Sequence, residues 1–324
     1  MTGRAAPRIT VCVPCHDYGR FLGEALDSLY AQTCDAWEAI VVDDASSDDT
    51  EAVMARATDA RLRLVHHPEN LGHIATFNEA IEAARGEFFV ILSADDRYRP
   101  TFLERALDAF AAVPETTLVY TDAVVIDEHG RRRDVAATTL DPDHDHDHDW
   151  VRDVSWELMV RPFVPGGAAV ARTGALRELG GYEPSLPHSA DTYLWRRLAF
   201  RGPVTHLAGR LFEYREHGTG MHERVSWPML MTTEEPWQYG ALLRDPALPE
   251  RVRARRSRLE AILATHRARA AYAERQWRPV VAGLGAAVRH DPRVWEREHP
   301  LHALARDHVS ARARGAVTRA EPRA

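Results

Sequence analysis

The chain has 324 residues, 45% of them hydrophobic and 27% charged, and a formal net charge of −7, which is typical of a folded globular protein. This length exceeds the usual size of a single hydrophobic core, so we expect one large domain and a smaller one. All 41 residues counted as Lys or Arg are arginine. The lack of lysine argues against a Walker-type phosphate loop, a protein-kinase site and a Schiff-base enzyme, because each of these needs a lysine amine.

Neither a membrane-spanning segment nor a signal peptide is predicted. The chain contains no run of about 18 apolar residues, the length that a spanning helix requires. The first residues, "MTGRAAPRIT", lack an apolar core and lead directly into a predicted strand. We therefore expect a cytoplasmic protein.

In chain order, the first 113 residues alternate short apolar runs with segments that have helical spacing. Strands are predicted at 9–13, 37–42, 61–67 and 87–92. Helices are predicted at 20–32, 48–58, 73–86 and 100–113, the third of them with Gly86 as its C-cap. This alternation predicts an α/β fold with a mainly parallel sheet and helices on both faces.

The cysteines give no redox or zinc site. Cys12 and Cys15 have the CxxC spacing, but Cys12 lies inside an apolar run that predicts a strand. Strand residues three positions apart point to opposite faces, which is poor geometry for a disulfide. Cys34 is the third cysteine of the chain, and three cysteines are too few for a Cys-based zinc site.

Polar side chains follow three of the four predicted strands. They are His16 and Asp17, then Asp43 and Asp44, then Asp95 and Asp96. In open α/β sheets, ligands bind beyond the carboxyl ends of the strands. Each acid alone suits a helix N-cap or a loop. Gathered at one edge, they suit Mg²⁺ bound together with a diphosphate, because adjacent carboxylates are costly without a cation.

Four blocks resemble family 2 glycosyltransferases of the GT-A fold, over roughly residues 8–222. They read "VCVPCHDYGRFLGEALDSLYAQT", "AIVVDDASSDDT", "NLGHIATFNEAIEAARGEFFVILSADD" and "GGYEPSLPHSADTYLWRRLAFRG". The resemblance implies an inverting transfer of a sugar to an acceptor hydroxyl, with Mg²⁺ or Mn²⁺ as cofactor. It implies a UDP-, GDP- or dTDP-sugar as donor and no nucleic-acid partner.

The resemblance also implies roles for residues in the first three blocks. Pro14, His16 and Asp17 match positions that line the nucleobase pocket, and Asp44 matches the acid that hydrogen-bonds the base. The "SADD" segment matches the metal motif of the family. It implies that one of Asp95 and Asp96 coordinates the metal and that the other reaches the ribose or the metal, without deciding which is which.

Two positions depart from the family pattern. Ser93 stands where the first acid of the metal motif is usual, and Phe77 stands where many members have arginine. The first departure keeps open a non-catalytic protein that binds nucleotide-sugars. A sugar-phosphate nucleotidyltransferase is another alternative, although such enzymes usually depend on lysine.

Later blocks supply the remaining site residues. Asp191 matches the general base of the family, and at the start of a predicted helix it also suits an N-cap. His217 matches a residue near the metal or diphosphate, with His222 as the second candidate. The Gly pair in segment 163–172 either lets backbone approach a sugar or forms an ordinary turn before a strand.

Segment 141–150, "DPDHDHDHDW", has no counterpart in the family. In an extended chain His144, His146 and His148 share one face, which suits a metal tract. A solvated loop on the acceptor side is the alternative that we favour.

The balance of charge changes along the chain. From Glu235 onward there are 18 arginines and 10 acids, a net of +8, which leaves −15 for residues 1–234. We therefore predict a catalytic domain at 1–234, with a nucleotide-binding half to about 115 and an acceptor half beyond it. Residues 235–324 are predicted to be an Arg-rich helical region. Its segment 249–277 suits packing on the catalytic domain, a homodimer contact or the inner face of a membrane.

Overall fold

The computed structural model describes residues 6–136, 145–220 and 227–292. Contacts divide the chain into two compact units, Met1–Arg224 with Asp245–Ala247, and Val225–Arg244 with Leu248–Ala324. The domain boundary at residue 234 remains a prediction from charge.

Within the described residues, the first unit is built on one sheet of ten strands. They are Ile9–Cys15 (β1), Trp37–Asp43 (β2), Leu62–His66 (β3), Phe88–Ile91 (β4), Arg97–Tyr98 (β5), Leu118–Ile126 (β6), Arg132–Ala136 (β7), Trp150–Arg152 (β8), Ala169–Arg172 (β9) and Val204–Arg215 (β10). The main order is β3-β2-β1-β4-β9-β6-β10-β5, with β7 paired to β6 and β8 paired to β10. Strands β3, β2, β1 and β4 are parallel, whereas β9 runs antiparallel to both β4 and β6.

Helices cover both faces of this sheet. They are Gly19–Tyr30 (α1), Thr50–Arg56 (α2), His73–Ala83 (α3), Phe102–Ala112 (α4), Ser155–Val160 (α5), Thr173–Glu178 (α6) and Ala190–Ala199 (α7). One core contains the apolar sides of α1 and α4, including Leu22, Leu26 and Phe110. The other core contains the apolar sides of α3 and α7, including Ile81 and Leu194. Successive residues of a strand serve opposite faces, which explains why β1 is apolar almost throughout.

The predicted α/β fold is confirmed, and all eight elements predicted in the first 113 residues are present with ends shifted by a few residues. The predicted C-cap at Gly86 is wrong, because α3 ends at Ala83. Gly86 instead backs onto β1, where an added Cβ would lie 2.6 Å from the Thr10 nitrogen. Cys12 and Cys15 are free thiols within β1, as expected.

The second unit is helical, as predicted. Its described helices are Trp227–Thr232 (α8), Glu234–Leu242 (α9), Glu250–Arg253 (α10), Arg256–Ala273 (α11) and Trp277–His290 (α12). The segment 249–277 is thus two helices followed by the start of a third. Gly283 of α12 lies against α11, since an added Cβ would meet the Ala268 Cβ at 2.8 Å. The lack of a side chain at Gly283 therefore lets the two helices approach closely.

In the part of the chain that the structure describes, no helix combines the length and the apolar character needed to cross a membrane. Membrane contact and homodimer formation remain predictions from the sequence.

Candidate active site

The loops after β1 and β2 are joined by hydrogen bonds. The His16 Nδ1 lies 2.8 Å from the Asp44 carbonyl oxygen, and its Nε2 lies 2.9 Å from the Asn70 side-chain nitrogen. Asp17 has a φ of 59°, and its Oδ1 accepts a 2.7 Å bond from the Ser47 amide. His16 and Asp17 are therefore held in place, each with its side chain nearly half exposed.

Asp44 holds the segment that precedes α3. Its carboxylate accepts 2.9 Å bonds from the backbone amides of Leu71 and Gly72, and the His67 Nδ1 lies 2.7 Å from Oδ1. Burial opposes ionisation of Asp44, but these bonds outweigh it and lower the pKa of the carboxyl. The Nε2 of His67 contacts Glu79 at 2.9 Å. Although burial opposes this, the two carboxylates raise the pKa of His67. Asp44 is thus an ionised residue that fixes the backbone before α3. Its hydrogen bond to the nucleobase of a donor remains a prediction.

Asp95 and His217 meet although they are far apart in sequence. The His217 Nε2 lies 3.0 Å from Asp95 Oδ2, and its Nδ1 lies 2.8 Å from the Thr219 hydroxyl. The His217 side chain is fully buried against the rings of Tyr18 and Phe21, whereas 13% of the Asp95 side chain is exposed. This pair offers one nitrogen and one oxygen ligand to a divalent ion.

Asp96 points into the protein instead. It is 3% exposed, and its Oδ1 accepts a 2.9 Å bond from the backbone amide of Arg215. Burial raises the pKa of the Asp96 carboxyl well above its ordinary value, Asp95 adds to this, and Arg215 opposes it only in part. The Asp96 carboxyl therefore ties the metal motif to the end of β10, and its metal-binding role remains a prediction.

Arg215 holds the loop that carries Asp95 and Asp96. Its Nε donates to the Asp95 carbonyl oxygen at 2.7 Å, and its guanidinium contacts Glu24 Oε2 at 2.7 Å. The guanidinium carbon also lies 4.7 Å from the centre of the Phe21 ring. The side chain is fully buried. Neither Arg215 nor Glu24 was predicted from the sequence, because an ion pair between residues so far apart leaves no local pattern.

Asp191 is in the first turn of α7, as the sequence predicted. The N-cap position belongs to Ser189, so Asp191 is not the N-cap. Its Oδ1 accepts a 2.6 Å bond from the Thr192 amide. Gly166 lies against the other oxygen, because an added Cβ would be 2.7 Å from Oδ2. Burial lowers the pKa of the His73 imidazole, and the negative charge of Asp191 opposes this effect.

The Gly pair connects Asp191 to the end of β4. Residues Gly166–Ala168 form a 3₁₀ turn. The Tyr98 hydroxyl contacts the carbonyl oxygens of both Gly167 and Ile91 at 2.7 Å. Since Ile91 ends the strand that leads to Asp95, the turn lies between the general-base candidate and the metal motif.

The remaining predicted positions have ordinary structural contacts. Pro14 pairs with Val42 near the end of β1, and the Ser93 carbonyl accepts a 3.0 Å bond from the Asp96 amide. Phe77, where many family members have arginine, packs against the rings of His73 and Tyr182. Their ligand contacts remain predictions.

The acid and histidine tract is divided by the fold. The His146 Nδ1 lies 2.9 Å from Asp122 Oδ2, whereas the His148 Nδ1 lies 2.9 Å from Asp145 Oδ2. The chain at 145–149 is not extended, and these two histidines contact different acids. His144 and His222 lie outside the described residues.

Comparisons with known proteins bear on the family and the fold of the chain. The family described as Glycosyl transferase family 2 matches residues 10–180. The O-antigen biosynthesis protein RfbC of Myxococcus xanthus is 31% identical over 215 residues, which cover 65% of this chain and 16% of that protein. A protein of Rickettsia felis named an uncharacterized glycosyltransferase is 25% identical over 221 residues, which cover 68% of this chain and 36% of that protein. The chain thus spans 36% or less of the length of these relatives.

Solved structures share the fold at low sequence identity. S. aureus TarS 1–349 in complex with UDP-GlcNAc aligns with a TM-score of 0.66 and 18% identity, over 87% of this chain and 81% of that chain. The mannosyltransferase PcManGT from Pyrobaculum calidifontis, in complex with GDP-Man and Mn²⁺, aligns with a TM-score of 0.58 and 19% identity, over 95% and 81%. Because the family match covers more than half of the sequence, this chain belongs to glycosyl transferase family 2, and it has the GT-A fold that its sequence predicted.

Proposed function

We propose that this chain transfers a sugar from a nucleotide-diphosphate donor to an acceptor hydroxyl, with inversion and with a divalent metal ion as cofactor. The observation that carries the proposal is the 3.0 Å contact between Asp95 Oδ2 and His217 Nε2 at the carboxyl end of the sheet. The family match and the nucleotide-sugars named for TarS and PcManGT support a donor of this class.

The residues at this site fit a divalent ion. Asp95 supplies an oxygen and His217 a nitrogen, and the hydrogen bond between the His217 Nδ1 and Thr219 orients the ring. Two protein ligands suffice, because such ions commonly take their remaining ligands from substrate phosphates and water. A bound cation supplies positive charge that favours departure of the diphosphate. We assign the ligand role to Asp95, because Asp96 already accepts a bond from the Arg215 backbone.

Asp191 is the proposed general base. A carboxylate in the first turn of a helix is stabilised as an anion by the helix dipole, and it is held here by the Thr192 amide. Such a carboxylate accepts the proton of the acceptor hydroxyl as that oxygen attacks the anomeric carbon. Attack on the face opposite the diphosphate breaks one bond as the other forms, so a single displacement inverts that centre.

A panel of UDP-, GDP- and dTDP-sugars tests the proposal. Calorimetry in Mn²⁺ and in chelator measures donor affinity, and release of free nucleoside diphosphate measures turnover. We expect Mn²⁺ to strengthen binding of one donor in the parent but not in His217→Ala. The control is His148→Ala, since His148 is an exposed histidine that contacts Asp145 instead.

Two outcomes contradict the proposal in different ways. Equal Mn²⁺-dependent affinity in His217→Ala and the parent excludes this metal site. Donor binding without hydrolysis or transfer to any acceptor favours the non-catalytic alternative. The configuration of the product at the anomeric carbon, read by proton NMR, tests inversion.

A further inference from the structure

A second group of metal-binding side chains lies on β6, on β10 and in the tract before β8. Asp122 Oδ2 lies 2.9 Å from the His146 Nδ1 and 3.0 Å from the His206 Nε2. The three candidate ligand atoms all lie within 4.8 Å of one another. Asp122 is 2% exposed and His206 is fully buried, while His146 is partly exposed. A carboxylate and two imidazoles converge here from three separate parts of the chain.

The spacing of these atoms suits a transition-metal ion. Tetrahedral Zn²⁺ binds nitrogen and oxygen at about 2.0–2.2 Å, which places neighbouring ligand atoms about 3.3–3.5 Å apart. The Asp122 contacts to His146 and His206 are slightly shorter than this, so the carboxylate needs to move only a little from each imidazole to admit an ion. Two imidazoles and one carboxylate favour Zn²⁺ over Mg²⁺, which prefers oxygen ligands throughout.

The second nitrogen of His206 gives an independent indication. Its Nδ1 lies 3.3 Å from the His148 carbonyl oxygen, which can only accept a hydrogen bond. The other ring nitrogen, Nε2, faces Asp122 Oδ2 at 3.0 Å. Nε2 would therefore be the metal ligand, and Nδ1 would keep its bond to the His148 carbonyl. Donation from the second nitrogen to a backbone carbonyl is the usual support of metal-binding histidines.

The strand geometry around Asp122 is also specialised. The pairing of β10 with β6 shifts between Leu207 and Phe212, so several β10 residues lie opposite Asp122 alone. Within this bulge Gly209 has a φ of 102°, and the Ala208 amide donates to Asp149 Oδ1 at 2.8 Å. Bulges of this kind often occur next to functional sites, where they redirect side chains.

An ion can reach the cluster from solvent. A pocket of about 510 Å³ is lined by His146 and Asp147, together with four arginines. Two of these arginines, Arg132 and Arg133, are in ion pairs with glutamates, which reduces their repulsion of a cation. A water molecule would complete a tetrahedral set as the fourth ligand.

From these observations we propose a Zn²⁺ site formed by Asp122, His146 and His206. The ion joins the acid and histidine tract to β6 and β10. It is separate from the proposed donor site, whose ligands are Asp95 and His217. The proposal goes beyond the transferase function and does not depend on it.

Zinc titration of the purified chain tests this site. The protein carries no polyhistidine tag, is stripped with chelator, and is titrated with Zn²⁺ against a competing indicator. The key variant is His146→Ala, because the partly exposed position of His146 allows the fold to survive. Its matched control is His148→Ala, in the same tract, because the His148 side chain is 79% exposed and contacts Asp145 instead. Asp95→Ala removes the proposed donor-site metal.

We expect one tight Zn²⁺ in the parent, in His148→Ala and in Asp95→Ala. Removal of His146 should weaken it at least about 100-fold, because changes to supporting groups alone already cost 10–100-fold. Co²⁺ in place of Zn²⁺ should give the visible absorption of a tetrahedral ion, absent from His146→Ala. Zn²⁺ should also raise the melting temperature of the parent but not of that variant.

Two results overturn the proposal. One is a parent that binds Zn²⁺ no more tightly than about 100 μM, the weak range in which exposed histidines bind adventitiously. The other is equal Zn²⁺ affinity in His146→Ala and His148→Ala. If Asp95→Ala loses the tight Zn²⁺ and His146→Ala keeps it, the ion binds at the donor site, and a site at Asp122, His146 and His206 is likewise excluded.

Discussion

Replacement of Asp191 by asparagine separates chemistry from structure at the proposed general base. Asparagine has nearly the same size, and its Oδ1 can still accept the bond that the Thr192 amide donates to Asp191. Its amide nitrogen cannot accept the proton of the acceptor. The substitution therefore removes the chemical function and keeps the local hydrogen bond.

The two energetic consequences differ in size. Loss of a general base costs roughly 10²–10⁴ in rate, which corresponds to about 2.7–5.4 kcal/mol in the activation free energy. Loss of the negative charge in the first turn of α7 costs about 0.3–1 kcal/mol of stability. We therefore expect turnover to collapse while the melting temperature falls by only a few degrees, as such a stability loss implies. Donor affinity should stay near that of the parent.

The assay is steady-state transfer, once the donor panel has identified an active pair. Donor affinity by calorimetry and a thermal melt are measured on the same samples. NMR titration of His73 gives a further control, because the Asp191 charge raises the pKa of that ring and asparagine should lower it further. Turnover within a few-fold of the parent, with the expected His73 shift, would refute the base assignment and leave Asp191 as a stabiliser of the helix.

Three further predictions follow from neighbouring contacts. Gly166→Ala places a Cβ 2.7 Å from the Asp191 carboxylate and should slow turnover by about 10²-fold. Gly174→Ala, with open space around it, should leave turnover unchanged, and equal effects would contradict the first expectation. Arg215→Met removes a buried guanidinium and leaves the Asp95 carbonyl oxygen without its donor, so urea unfolding should show a loss of about 1–3 kcal/mol; an unchanged free energy of unfolding contradicts this. The pKa of His67 is raised in the fold, so His67→Gln should lose stability mainly at low pH. The gap in melting temperature between parent and variant should shrink as pH rises through that raised pKa, and a constant gap excludes the effect.

The sequence predicted the residues that lie at strand ends and missed those that act through buried contacts. Asp44 and Asp95 were found because each follows an apolar run, and a run of that kind fixes where a strand ends. The contact between Asp95 and His217 was accessible only through the family resemblance, since no local pattern relates them. Arg215 belongs to no motif, and its role emerges from its burial and its bond to the Asp95 carbonyl.

The acid and histidine tract shows a different limit of sequence reading. Alternation placed its histidines on one face of an extended chain, and the fold instead directs His146 to Asp122 and His148 to solvent. What decides the orientation is the tertiary partner, a buried acid on β6 that resembles any other acid in the sequence. The alternation of histidines in the sequence identifies candidate metal ligands. Which of them share one ion depends on how the strands pair.

Strand β10 connects the two proposed metal sites and explains how they can differ in role. His206 lies before the bulge, on the stretch that pairs with the start of β6, whereas Arg215 ends the stretch that pairs with Ile126. An ion at His206 would fix the first stretch to the tract. The second stretch leads to His217, the proposed ligand of a metal that arrives with the donor. A bulge between the two allows a permanently occupied structural site and an exchangeable donor site to be built on one strand. On this basis, chelation mild enough to remove Mn²⁺ should abolish donor binding without lowering the melting temperature, whereas loss of Zn²⁺ should lower it.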